Sequence, residues 1–179
     1  MPIPMDAPIE EKVSWAESCY RSEKDSLLRD KGIADLLTIF REAAADSHIT
    51  MTSAGVYEAC KKCEEREGGS CCARGIEAYY SGVMLLINLL LERDLPKARL
   101  HTGDCLFLQK SGCALLARHV ICVNYLCKKI TGLIEPDRIA ALRKKEGIEL
   151  DLLFHLEERI KKLLRRKDYE RHTEGIPKA

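Results

Sequence analysis

Eight of the nine cysteines in this 179-residue chain fall into two runs: Cys60, Cys63, Cys71 and Cys72, then Cys105, Cys113, Cys122 and Cys127. Thiolates are soft donors for zinc and for iron–sulfur clusters. The C-x-x-C spacing of Cys60 and Cys63 lets two sulfurs take neighbouring positions around one metal, because the turn between them also aims backbone N–H groups at sulfur. That is half a site, and the second run supplies the other half. Disulfides are the competing use for so many thiols. They persist in oxidising compartments, whereas the count here is odd and "MPIPMDAPIEEKVSWAES" has acids and prolines where a signal peptide carries a basic segment and an apolar run. The expectation is reduced, metal-holding thiols in the cytoplasm.

Two spacings limit how the thiols share metal. Successive side chains point about 100° apart on a helix and to opposite faces of a strand, so Cys71 and Cys72 reach one ion only with difficulty. They serve different metals, or different irons of one cluster, or one of them packs in the core. Cys122 and Cys127 would lie about 140° apart on a continuous helix, so either that helix ends before Cys127 or the two fill different positions. Four thiolates suit a zinc ion and a [4Fe-4S] cluster equally, so donor type leaves zinc and iron–sulfur open. Full thiolate ligation leaves no open coordination position, which favours structural or electron-transfer roles over hydrolysis. A structural zinc contributes about 10 to 16 kcal/mol of apparent binding energy, against a net stability of about 5 to 15 kcal/mol for a typical domain. Folding of the central segment should therefore depend on metal.

The ordered set Cys60-x2-Cys63-x7-Cys71-Cys72, then Cys105-Leu106-Phe107-Leu108, Gly112-Cys113 and Arg118-x3-Cys122-x2-Tyr125-x-Cys127 resembles the YkgJ-like family of zinc- or iron-chelating CxxCxxCC proteins. The resemblance covers roughly residues 60 to 127. Relative to the family pattern, Glu64 to Ser70 lengthens the first run, His119 follows Arg118 where a proline is expected, and Val123 follows Cys122 where an arginine is expected. The resemblance implies metal chelation by the eight cysteines. Related domains occur in a flagellin lysine methylase, which adds an accessory domain or enzyme of an iron–sulfur-dependent modification system to the readings. Folds host many functions, and nothing in the chain resembles an S-adenosylmethionine fingerprint.

Other reactive residues have plainer uses. His101 and His119 stand near Cys105 and Cys122 and read as surface or supporting histidines rather than ligands. A thioredoxin-like role for Cys60 and Cys63 would need a strand before and a helix after, in a βαβ setting that is missing. Cys19 reads as a small core hydrophobe. Glu58, Glu64, Glu65 and Glu67 keep the turn around the first run soluble, and "RIKKLLRRK" (159–167), interleaved with Glu157 and Glu158, is the solvated face of an amphipathic helix.

The elements that must hold these residues read as helices. Ile9, Val13, Ala16 and Tyr20, then Ile33, Leu36, Leu37 and Phe40, recur at helical spacing. "DSHITMTSAG" (46–55) reads as a break in which Thr52 or Ser53 caps a short helix to Cys60, and Gly68, Gly69 and Ser70 as a turn. A long helix spans Gly75 to Arg93, with Val83 to Leu91 too short for a bilayer and therefore buried. "LLARHVICVNYLCKKI" (115–130) reads as helical, a short helix runs from Pro136 to a stop at Gly147, and a last helix carries an apolar stripe of Leu152, Leu153, Leu156, Ile160, Leu163 and Leu164 before a frayed tail. No alternating pattern supports a sheet. With 46% hydrophobic and 32% charged residues, the chain is expected to form one all-α domain. It would be an irregular helical fold with N-terminal helices at 1–50, a cysteine-rich metal core at 51–131 and C-terminal helices at 132–179. Twenty-nine basic against 28 acidic residues give no argument for nucleic acid or membrane as the partner. The expected function is binding of zinc or an iron–sulfur cluster with a redox or metal-handling role. The alternative is a helical interaction module with a purely structural metal, meeting a protein partner through the C-terminal helix.

Overall fold

The computed structural model describes residues 2–67 and 71–174, without the side chains of 64–67, 173 and 174. The expected turn at Gly68, Gly69 and Ser70, the solubilising role of Glu64, Glu65 and Glu67, and residues 175–179 of the tail lie outside the described residues.

Helix α1 (Ile9–Arg29) opens behind Pro8, with Glu10 and Glu11 in its first turn, where acidic side chains meet the positive end of the helix dipole. Asp30 ends α1 and starts α2 (Lys31–Ser53): its Oδ1 accepts the Ile33 N–H at 3.0 Å and the Arg159 Nε–H at 2.7 Å. A Cβ at position 32 would meet the Arg159 guanidinium, so a larger residue there would push that group away from Asp30. α7 (Pro136–Glu174) lies along α2 in the largest helix–helix contact of the fold. α4 (Gly82–Leu90) packs mainly on α1 and also touches α7. Val83, Leu85, Leu86 and Ile87 are at most 1% exposed and sit with Phe40, Phe107, Leu156 and Ile160 at the middle of the main core. A smaller, separate cluster of Ala54, Val56, Ile130 and Leu142 lies under α3 (Val56–Glu67) and α6 (Lys128–Leu133).

The protein is mainly helical, as expected, but four boundaries differ from the sequence reading. The stretch 46–55 is no break: Thr50, Thr52 and Ser53 turn their hydroxyls back onto the carbonyls of Asp46, His48 and Thr50, so α2 continues to Ser53 and the chain turns at Gly55, whose φ is 85°. The expected Gly75–Arg93 helix is a 3₁₀ turn (Ile76–Tyr79) followed by α4, because Ser81 caps α4 by accepting the Met84 N–H at 3.0 Å. Residues 115–130 are two short helices, α5 (Val120–Asn124) and α6, and α5 ends before Cys127. Gly147 stops nothing. α7 runs through it, since Leu142, Glu146, Glu149 and Leu153 keep one face buried across it and tertiary packing outweighs the glycine's cost of about 1 kcal/mol. The chain also forms a minimal hairpin of β1 (Leu108–Gln109) and β2 (Gly112–Cys113). Among the described residues no helix is long and apolar enough to cross a membrane.

Candidate metal centre

The first cysteine run hangs from the satellite cluster. Cys60 and Cys63 stand three residues apart on α3 and so share a face; Cys60 is exposed and Cys63 half-buried. After the glycine-rich segment, Cys71 is exposed and Cys72 half-buried. Between bends at Cys71 and Cys72 and a turn at Arg74, Ala73 forms an isolated antiparallel bridge with Asp104. Around that bridge the Cys105 N–H donates to the Cys72 carbonyl and the Arg74 N–H to the Gly103 carbonyl, both at 2.7 Å. These bonds stitch the two runs together.

The second run is carried by the hairpin and α5. Cys105 is 6% exposed at the entrance to β1. Gly112, with φ 105°, turns the chain back so that Leu108 pairs with Cys113. Asn88, wholly buried in α4, then fixes the exit: its amide donates to the Met84 and Ala117 carbonyls, and its Oδ1 accepts the N–H groups of Leu116 and Ala117 at 2.8 and 3.0 Å. The stretch between the two runs is clamped as well. Arg99 pairs with the buried Glu77 and donates to the Asp104 carbonyl at 2.6 Å, while Glu77 also accepts the Gly75 N–H at 2.9 Å. Burial alone would raise the Glu77 carboxyl, but the bonds from Arg99 and Gly75 outweigh it and hold the group below the usual range. Lys12, 1% exposed, reaches across from α1 to the Ala78 carbonyl at 2.8 Å.

Donors converge on the sulfurs. The Phe107 N–H lowers the Cys105 thiol and the Leu115 N–H lowers the Cys113 thiol, each against the effect of burial. The Tyr80 hydroxyl, nearly buried between Phe107 and His119, donates to the Cys122 sulfur at 3.7 Å. Burial pushes the Cys105 thiol up to about 12, with the Phe107 N–H opposing it and Glu77, Cys113 and Cys122 adding to it. Burial likewise raises Cys122 and Cys113, and Arg118 lowers both. In the first run the Cys71 thiol is raised by burial and then by the charges of the Cys127 and Cys63 thiols. Buried neutral thiols gain little from several sulfur-directed donors, whereas a metal-held thiolate gains from each. Among the described residues no three His, Cys, Asp or Glu side chains converge closely enough to hold an ion as they stand. The donor chemistry nonetheless fits a soft metal.

No family model, curated protein or solved structure matches the chain. The site is therefore read from its own geometry.

His119 caps α5 by accepting the Ile121 N–H at 3.3 Å on Nδ1 and stacks on Tyr79, while His101 is exposed. Cys19 lies half-buried against the main core on α1, its thiol raised to about 11 chiefly by burial. In the basic run, Ile160, Leu163 and Leu164 are buried, while Arg159 pairs with Asp30, Lys161 with Glu157 and Glu158, and Lys167 with Glu23. The sequence reading missed Asn88, Glu77 and Tyr80. Asn88 did leave a signal, as the one polar residue inside the apolar run Val83 to Leu91. Glu77 and Tyr80 left none, because their partners at Arg99 and Cys122 are far away in the sequence.

Proposed function

We propose that this chain is a cytoplasmic metal-binding protein of the YkgJ-like kind, holding zinc or an iron–sulfur cluster through Cys60, Cys63, Cys71, Cys72, Cys105, Cys113, Cys122 and Cys127. The observation that carries the reading is the Tyr80 hydroxyl donating to the Cys122 sulfur at 3.7 Å, supported by the Phe107 and Leu115 N–H groups, which lower the Cys105 and Cys113 thiols against burial. Such donors stabilise thiolate over thiol and, on a bound centre, draw charge from sulfur and tune metal affinity or potential. When bound, the metal supplies cross-linking of the central segment and, if it is a cluster, one-electron chemistry.

The chain's own residues do the rest. Arg118 offsets negative charge at Cys113 and Cys122, and Cys105 is buried in the same core as Leu106, Phe107 and Leu115. With only thiolates as donors, the role is redox or metal handling rather than hydrolysis. Protein purified without oxygen should carry zinc or iron at stoichiometric level, counted by elemental analysis, with broad visible absorption if a cluster is present. Absence of both metals would overturn the reading.

A further inference from the structure

The eight thiols do not gather in one place. Cys72, Cys105 and Cys122 pack against the main core, whereas Cys127 packs against the satellite cluster beside Ala59, the neighbour of Cys60. The charges of Cys63 and Cys127 act on the Cys71 thiol, and those of Cys113 and Cys122 on the Cys105 thiol, in keeping with that division. The two spacings that looked awkward in the sequence mark the division. At the first spacing the chain bends at Cys71 and Cys72 just before the Ala73 bridge, and Cys72, whose carbonyl accepts the Cys105 N–H, packs on the main core. At the second spacing, α5 ends at Asn124 and the chain leaves the main core, so Cys122 stays with it and Cys127, at the start of α6, joins the satellite.

We infer that the chain carries two separate metal centres of unequal access: an inner one from Cys72, Cys105, Cys113 and Cys122, built into the fold, and an outer one from Cys60, Cys63, Cys71 and Cys127, at the surface. The inference rests on the metal-binding reading above and adds number and accessibility to it. In the outer set Cys60 and Cys71 are exposed and the other two half-buried. In the inner set Cys105 is 6% exposed, Cys72 and Cys122 are half-buried and Cys113 is exposed on the hairpin, while the Tyr80 hydroxyl donates to Cys122. A metal leaves four thiolates when a competing ligand approaches, so the centre with two exposed thiols exchanges faster than the one anchored on buried Cys105. The outer centre is thus the one suited to giving and receiving a divalent soft metal, and the inner one to keeping it.

The test uses the full chain, produced with zinc in the medium and purified without oxygen. Zinc and iron are counted per chain, and release to a chromogenic chelator is followed in time. The wild type should hold two centres, each one zinc ion or one iron–sulfur cluster, and release them in two phases at least tenfold apart. The C60S/C63S variant should keep one centre, lose the fast phase and retain its helical circular dichroism. Because C105S threatens folding, C122S is the complementary variant, expected to lose the slow phase. One centre in the wild type that vanishes in C60S/C63S, or two centres released in a single phase, would overturn this inference and leave metal binding standing. Absence of metal from the wild type would overturn metal binding itself.

Discussion

Arg118 occupies the seam between the thiols and the helical frame. Its guanidinium, 12% exposed, lies near Cys113 and Cys122 on one side and 3.6 Å from the Glu149 carboxylate on the other. Glu149 is 0% exposed, and neither of its oxygens makes a hydrogen bond among the described residues, although Arg118 and Ser47 face it and Glu146 lies one turn away. Burial raises the Glu149 carboxyl and Arg118 opposes this; Glu146 is raised too, with Arg143 opposing. The folded state therefore keeps these protons to a higher pH than the unfolded chain, whose carboxyls titrate near about 4.3. Stability from these groups is present below that value and is lost as pH rises through the folded-state values. Acidification also costs stability through His48 and His119, both lowered by burial, so the test is a difference: between pH 7 and pH 5 the denaturant midpoint of the wild type should move more favourably than that of Glu149→Gln. Equal movement in the two proteins would mean that Glu149 is ionised at both values. None of this was legible in the sequence, where residues 118 and 149 sit on separate elements and only the fold buries the carboxylate.

At the scale of elements, helix existence was legible and helix ends were not. Periodic apolar residues marked α1, α2, α4 and the second half of α7, because one buried face requires that spacing whatever else surrounds it. The ends were misread where a local signal competed with packing. Thr50, Thr52 and Ser53 are capping residues by type, yet their hydroxyls bond backwards within α2. Gly147 is a stop by type, yet it lies inside α7 with a helical conformation and open space around its Cα. A Cβ there would meet nothing within 4 Å. Gly147→Ala should then stabilise the protein by roughly 0.5–1 kcal/mol through the reduced entropy of the unfolded chain. A thermal melt checks this as a rise in midpoint of a few degrees; a fall would show that the helix needs to bend at that glycine.

For the whole molecule, the apolar stripe of α7 is committed to the core. Leu153, Leu156, Ile160, Leu163 and Leu164 are all buried in the main cluster, so a protein partner at this helix would meet its charged outer face rather than the stripe. Each such side chain contributes about 1.5–3 kcal/mol on burial, and five together reach on the order of 10 kcal/mol, comparable with the whole stability of a typical domain. Deleting residues 148–179 should abolish cooperative unfolding, read by circular dichroism against temperature. A truncated chain that still melts cooperatively would return the helix to the role of a separable module. The sequence showed the stripe but not its destination, since amphipathicity reveals that a face is covered and not by what. The same limit applied to the thiols: order and spacing pointed to soft metal, and only the two hydrophobic clusters reveal how the sulfurs divide.

The pairing of α2 with α7 also sets an order of events during biosynthesis. Translation is vectorial, and Cys127, the last of the nine cysteines, is made before the first residue of α7. The most extensive helix–helix contact in the fold therefore closes last. Every sulfur is present in the nascent chain while α2 still waits for its partner, so all nine thiols emerge before the scaffold that packs against some of them is complete.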